Sequence, residues 1–330
     1  MKALVYLGKS QLDYRDAADP ELASGDVLVK VHACGICGSD MHGFHGDDPR
    51  RVPPMIMGHE ATGVVQTGEW RGRAVAINPF LSCGECNACL SGSPQLCDKQ
   101  KNLGLPPHAG GFADYVAVPR RNLVEIPEGM DFTTAALTEP LAVAYHAVGI
   151  GQRLIGKPFT SARIAVLGGG AIGLLTALVL ISQGALEVLL SEPNEGRRRT
   201  AAAASDRISP YAPGDEPAAE SVDLIFDAVG AKATREAAFR LARRGAVIIH
   251  SGLMPGSEGV DVRRLTLREL TFAGAYCYSM PEFRQSIELL ASGALGALNW
   301  VEQRPMSEGF AAFQDIDAGC TSAAKIILMN

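Results

Sequence analysis

The sequence predicts an α/β protein built of two parts, a β-rich first part and a doubly wound parallel sheet. Three observations predict it. Short segments of alternating or β-branched apolar character crowd the first 140 residues. Strands and helices alternate after that point. A glycine-rich turn, Gly168 to Gly173, joins an apolar strand to an apolar helix, which is the entry to a dinucleotide-type βαβ unit. A chain of 330 residues is long enough for each part to bury its own core.

In chain order, Met1 to Tyr6, Asp26 to His32, Thr62 to Thr67, Ala74 to Asn78 and Ala113 to Pro119 read as strands. A helical run at Leu141 to Val148 marks the change of pattern, followed by a buried strand at Arg163 to Leu167 and the helix Ala171 to Ser182. Strands at Glu187 to Ser191, Val222 to Asp227 and Ala246 to Ser251 follow, with a helix Ala233 to Arg243 between the last two. Ser209 to Ser221 holds three prolines and reads as a surface connection, which leaves the third strand unplaced. Pro281 to Ala291 begins a further helical stretch.

Composition narrows the function. Apolar residues make up 47% and charged residues 20%, ordinary values for a folded protein, so disorder is excluded. A formal net charge of −6 opposes a nucleic-acid footprint, and the basic run Arg197 to Arg199 is too short to reverse that. Neither a signal peptide's apolar region nor a membrane-length apolar window is present, so the expectation is a cytoplasmic protein with no membrane partner. Eight cysteines in such a chain favour metal binding over disulfides. Cys34, Cys277 and Cys320 fall outside any interpretable spacing and read as small buried hydrophobes.

Cys83, Cys86, Cys89 and Cys97 stand as C-x2-C-x2-C-x7-C, a spacing that lets four thiolates converge on one tetrahedral Zn2+. Four thiolates fill the tetrahedron and leave no position for a substrate, so this lobe is expected to be structural. Gly168-Gly169-Gly170-Ala171-Ile172-Gly173 is a G-x-G-x-x-G in strand-turn-helix context, with Gly168, Gly170, Ala171, Ile172 and Gly173 placed to take a pyrophosphate. Glu192 stands 19 residues beyond Gly173, where a carboxylate accepts hydrogen bonds from ribose hydroxyls and favours NAD. Arg197 is counted with the cofactor-binding candidates. The competing reading makes Arg197, Arg198 and Arg199 a pocket for the 2′-phosphate of NADP, but Glu192 would repel that phosphate, and an arginine run in a helix is usually a solvated face.

A third set comprises Cys37, His59, Glu60 and Glu139, which could form an open zinc site of three protein ligands with one position left for water or substrate. Each alone has an ordinary structural reading: a core cysteine, a polar histidine, a glutamate capping a helix before Pro140.

Taken together, Gly35-Ile36-Cys37-Gly38-Ser39-Asp40, Gly58-His59-Glu60, the four-cysteine lobe, Glu139-Pro140-Leu141 and the Gly168 to Gly173 turn stand in the order found in one family. Over essentially its whole length the chain resembles the zinc-containing medium-chain dehydrogenase/reductases, which include alcohol, polyol, butanediol and threonine dehydrogenases. The resemblance implies a GroES-like catalytic domain at 1–140 with the zinc lobe near 80–100. It further implies a Rossmann domain at 141–280 and a segment, 281–330, that returns to the catalytic domain. Cys37 and His59 then look like ligands of a catalytic zinc, Glu139 takes the third-ligand position, and Glu60 ligates directly or exchanges with water. Asp40 resembles the residue that fixes the ligating imidazole's tautomer. Ser39 would take the substrate's hydroxyl proton and pass it toward His42. Two zinc ions and one NAD per chain, a small alcohol or carbonyl substrate, and a homodimer or homotetramer complete the implication.

The substrate class is a secondary alcohol, diol, amino alcohol or polyol. Sorbitol-type members carry a tyrosine after the histidine matching His42 and an Arg-Tyr pair, whereas this chain has Gly43 and Ala275-Tyr276, so a guanidinium that could hold vicinal hydroxyls is missing. Tyr276 and Tyr278 remain candidates for the pocket lining. Two alternatives compete. A zinc-free NADPH quinone or enoyl reductase shares the frame but does not explain the Cys37, His59 and Glu139 set. A non-enzymatic zinc-binding redox regulator explains the lobe but not the dinucleotide turn.

Overall fold

The computed structural model describes residues 1–330. Its first sheet has seven strands. Leu123–Glu125, Ala74–Ile77, Glu60–Val65 and Asp26–Gly35 are successive antiparallel neighbours, and Tyr115–Pro119 pairs with the first half of Asp26–Gly35. The second half of that strand is covered by Lys325–Met329, itself paired in parallel with Val301–Pro305, so the end of the chain completes a sheet begun near its start. Alternation drives the pairing: Val27, Val29 and Val31 are buried while Lys30 is exposed, the two-residue period of a half-buried strand. A smaller sheet of Gln11–Asp16, Lys2–Gly8 and Met55–Ile56 lies beside it.

The second sheet has six parallel strands in the order Ile208–Tyr211, Val188–Ser191, Ile164–Leu167, Val222–Asp227, Ala242–His250, Thr271–Gly274. The order of a doubly wound nucleotide fold, 3-2-1-4-5-6, is thus complete. The edge strand Ile208–Tyr211 corrects the sequence reading at one place: Ser209 to Tyr211 is not a surface connection, because Pro210 sits where an edge strand tolerates a missing N–H. The helix expected at Leu141 to Val148 runs Thr138–Ile155 and stops at Gly156, whose φ of 67° supplies the left-handed stop. Ala171–Ser182 follows as read from the sequence. Nearly every residue of it is buried because it packs between the parallel sheet and helix Thr138–Ile155. No helix is long and apolar enough to cross a membrane.

Two principal cores result. One gathers Val29, Val31, Phe112, Phe313 and Leu328, and the other Leu141, Val166, Leu174, Phe226 and Ile249. Strand Lys325–Met329 serves both, since Ile326 and Leu328 enter the first core and Ile327 the second. Of the three cysteines read as buried hydrophobes only Cys34 is so. Cys277 is half-buried with a left-handed φ of 52°, and Cys320 is exposed beyond the helix Gly309–Asp317. Neither residue lies in a run of helical or strand periodicity, so their burial could not be read from the residues around them.

Candidate active site

Cys37, His59 and Glu60 come from two adjoining places at one end of neighbouring strands of the first sheet. Cys37 precedes the short helix Gly38–Phe44, and His59 and Glu60 lie at the start of strand Glu60–Val65. One ligand atom from each lies within 4.8 Å of the others, a spacing that one cation could bridge. Asp40, fully buried, organises this group: its Oδ2 accepts from the Cys37 amide at 3.1 Å, and its Oδ1 lies 3.5 Å from His59 Nδ1 and 3.1 Å from Arg51 Nη1. With Nδ1 turned to Asp40, Nε2 is the ring nitrogen left to ligate. Burial alone would raise the Asp40 pKa, but His59, Arg51 and the Cys37 amide outweigh it and hold the carboxyl well below the usual carboxylate range.

Glu60 has a partner that the sequence reading missed. Lys325 Nζ donates to Glu60 Oε1 at 2.5 Å and to the Ile36 carbonyl at 2.9 Å, with both side chains almost fully buried. Burial would discharge the lysine, yet Glu60, Cys37 and Glu139 outweigh it and keep its pKa above the ordinary value. Gly35 makes the contact possible: a Cβ there would stand 2.0 Å from Glu60 Oε2 and 2.9 Å from Lys325 Cε. The only sequence signal was a lysine opening an otherwise apolar C-terminal strand.

Glu139 is buried in the first turn of helix Thr138–Ile155 and is not one of the three groups that share the 4.8 Å cluster. Its Oε1 accepts from the Tyr278 hydroxyl at 2.9 Å. Burial pushes its carboxyl up to about 7; Glu60 adds to the rise, while His59, Tyr278 and Lys325 oppose it. Ser39 and His42 sit three residues apart on helix Gly38–Phe44, on one face, and Arg51 Nη2 donates to Ser39 Oγ at 3.4 Å. Arg51 is the second residue missed, because nothing in a pair of adjacent arginines distinguishes the buried one.

The four cysteines of the lobe are brought together. Sγ separations are 3.5 Å for Cys86 and Cys89, 3.5 Å for Cys83 and Cys97, and 3.9 Å for Cys83 and Cys89. Thiolates at the Zn–S bond length on a tetrahedron stand about 3.8 Å apart, so these four fit zinc without rearrangement. The amides of Glu85 and Cys86 lower the Cys83 thiol to about 6, already toward the ligating thiolate. Helix Asn87–Leu90 within the lobe has no buried residue, and between Ser82 and Gln100 only Gln95 and Cys97 are buried, so a metal would supply much of what holds this loop together.

At the glycine turn each glycine answers a different demand. Gly168 has φ of 105°, and a Cβ on Gly173 would lie 1.8 Å from the Gly168 carbonyl oxygen. A Cβ on Gly170 would meet nothing within 4 Å, so the protein itself does not require that glycine, and the space beside it is open to a phosphate group. Ala171 and Ile172 open the helix behind it. Glu192, almost fully buried, accepts from the amides of Gly169 and Asn194, both at 2.8 Å, which fixes its carboxylate beside the turn. The three arginines part company. Arg199 pairs with Glu195 at the surface, Arg198 donates to the Glu192 and Pro193 carbonyls, and Arg197 is half-buried in the first turn of helix Glu195–Ala204.

Residues 23–128 match the family described as the alcohol dehydrogenase GroES-like domain, and residues 171–292 match the zinc-binding dehydrogenase family. The 2-dehydro-3-deoxy-L-galactonate 5-dehydrogenase of Pseudoalteromonas atlantica is 33% identical, with 100% of this chain and 99% of that protein covered. The chain belongs to the zinc-containing medium-chain dehydrogenases. It is also similar to the probable D-xylulose reductase A of Aspergillus clavatus, 29% identical over 96% of this chain and 94% of that one. A solved zinc-binding dehydrogenase of Sinorhizobium meliloti bound to NADP superposes with a TM-score of 0.88 at 29% identity, covering 100% and 99% of the two chains. As a medium-chain dehydrogenase the protein is an NAD(P)-linked oxidoreductase that works with zinc on a small-molecule substrate. Its GroES-like and Rossmann parts are the two sheets described above.

Proposed function

We propose that this dehydrogenase oxidises a secondary hydroxyl of a polyol-type substrate with NAD at the Cys37, His59 and Glu60 cluster, while the four-cysteine lobe holds a second, structural zinc. The observation that carries the reading is the convergence of those three ligand atoms within 4.8 Å, with Glu139 buried close by. When bound, the zinc supplies Lewis acidity toward the substrate oxygen and NAD supplies the two-electron acceptor. Cys37 Sγ, His59 Nε2 and one glutamate offer the ligands, and Asp40 orients the imidazole through Nδ1. Ser39 Oγ receives the hydroxyl proton and His42 carries it outward along the same helix face. Tyr278 holds the Glu139 carboxyl in place.

Gly168, Gly170 and Gly173 seat the pyrophosphate, with Ala171 and Ile172 presenting helix-terminal amides. Glu192 takes the ribose hydroxyls, and its charge beside the turn opposes a 2′-phosphate, although the Sinorhizobium relative was solved with NADP. Arg197 flanks that site. The name of the Pseudoalteromonas relative puts a carboxylate-bearing sugar derivative within the substrate class, beside neutral polyols. A cytoplasmic homodimer or homotetramer belongs to the same reading on the strength of the family resemblance.

The test is NAD reduction across secondary alcohols, diols, neutral polyols, sugar acids and threonine, with and without a chelator, repeated with NADP. Zinc-dependent turnover with NAD on a polyol-type substrate is the expected result. Turnover that survives complete removal of zinc would overturn it.

A further inference from the structure

Between the four-cysteine lobe and Tyr276 lies a cleft of about 480 Å³ whose wall holds two cations and no acid. The cations are Arg50 and Lys101, set among Gln95, Gln100, Asn102 and Tyr276. Cys97, a thiolate when the lobe holds its zinc, also lines the cleft, so what suits an anion here is the pair of cationic donors and not a net positive wall.

Both cations have free donors. Arg50 is held in a two-pronged contact by Asp48, Nε to Oδ1 and Nη2 to Oδ2, both at 2.9 Å, which fixes the guanidinium plane and leaves Nη1 without a protein acceptor. Asp48 balances the charge of Arg50, since Arg51 has its own carboxylate in Asp40 at 3.1 Å, so what Arg50 offers an incoming anion is the free Nη1 donor on a fixed guanidinium. Lys99 is paired with Glu85 at 2.8 Å, but Lys101, two residues on and exposed, has no carboxylate within ion-pair distance.

The cleft reaches toward the proposed zinc site. Tyr276 lines the cleft, and Tyr278, two residues on, donates to Glu139 at 2.9 Å. The left-handed backbone of Cys277 between them, with φ of 52°, sets its two neighbours differently: Tyr278 is buried on Glu139 and Tyr276 is 43% exposed at the cleft. An extended polyol with one hydroxyl at the metal cluster would therefore run past Tyr276 and bring its far end to the two cations.

We propose that this cleft is the subsite for an anionic end group of the substrate, with Arg50 and Lys101 as specificity-determining residues. The inference rests on the oxidation of a polyol-type substrate argued above and adds that the substrate carries a terminal carboxylate, as in an aldonic acid, or a phosphate ester.

The experiment compares matched pairs on the zinc- and NADH-loaded enzyme: D-gluconate with D-glucitol, L-galactonate with galactitol, and D-glucitol 6-phosphate as the phosphate arm. Calorimetric binding is measured alongside kcat/KM, so that binding decides the subsite even where turnover is absent. At least one anion should bind about 10- to 100-fold tighter than its neutral partner, the effect of one or two charge-assisted hydrogen bonds. Raising the salt should narrow that gap. The double variant Arg50→Gln with Lys101→Gln should reduce the anion-to-neutral ratio by a similar factor, whereas Lys99→Gln should leave the ratio alone. Preference for the phosphate with the same dependence on the variant identifies the ester as the source; preference for the aldonates identifies the carboxylate. Equal binding of charged and neutral partners, or a ratio indifferent to the double variant, overturns the subsite. Zinc-dependent turnover of neutral polyols in that event would leave the reaction standing without it.

Discussion

Lys325 and Glu60, 265 residues apart in the chain, form a buried ion pair across the site of the missing Gly35 side chain. Removing one partner of such a pair strands a charge in the interior. Lys325→Met is expected to cost about 3–5 kcal/mol in denaturant unfolding, with much of the loss restored when Glu60→Gln is added. A double variant no more stable than the single one would contradict the pairing.

The glycine turn separates two effects usually lumped together. Gly173→Ala pushes a methyl into the Gly168 carbonyl and should destabilise the protein by about 1–3 kcal/mol. Gly170→Ala meets open space at an ordinary φ of −72° and should change stability by under about 0.5 kcal/mol. Its NADH affinity should nonetheless fall about tenfold or more, read by fluorescence titration beside thermal melts.

Zinc analysis distinguishes the two cysteine groups. Cys86→Ser should lose about one zinc per chain and melt earlier, because the lobe has so little buried surface of its own. Cys37→Ser should lose turnover by about 100-fold or more and keep its fold, since the sheet around it is packed independently of any metal. Equal melting losses in the two variants would argue against separate roles.

Acid stability should depend on Glu282. Its Oε1 lies 2.8 Å from His146 Nδ1, and its Oε2 accepts from the amide and hydroxyl of Ser279, both at 2.7 Å. Burial alone would raise its pKa, but these partners outweigh it and lower the carboxyl to about 2. A carboxyl depressed on folding stabilises fully above its unfolded value near 4.5, and the contribution fades as pH falls toward 2. Glu282→Gln should therefore flatten the stability profile over that window by about 2 kcal/mol, measured by urea unfolding at successive pH values.

Much of this architecture could be read from the residues. The turn at Gly168 to Gly173, helix Ala171–Ser182 and strand Val222–Asp227 were legible because an apolar run bounded by glycine carries its own length and context. Ile208–Tyr211 was not, since a short edge strand containing proline looks like a loop until its neighbour Val188–Ser191 is in place. At the site, the four cysteines of the lobe declared themselves by metal-type spacing, whereas Cys37, His59 and Glu60, scattered along the chain and each open to an ordinary structural reading, were singled out together only by the family resemblance. Arg51 and Lys325 did not, because their roles arise only from burial beside Asp40 and Glu60, which tertiary packing creates. Glu192 was legible as a carboxylate near the turn, but its two amide contacts depend on the backbone of Gly169 and Asn194.

The strand Lys325–Met329 inserts alternate side chains into two cores and delivers a charge to the first sheet from the far end of the polypeptide. Recombination between relatives therefore cannot treat the opening 140 residues as a transferable cassette. A hybrid joined near that boundary inherits its terminal ribbon from the other parent, and it would need a matching lysine and a neighbouring glycine to avoid a bare carboxylate at its centre.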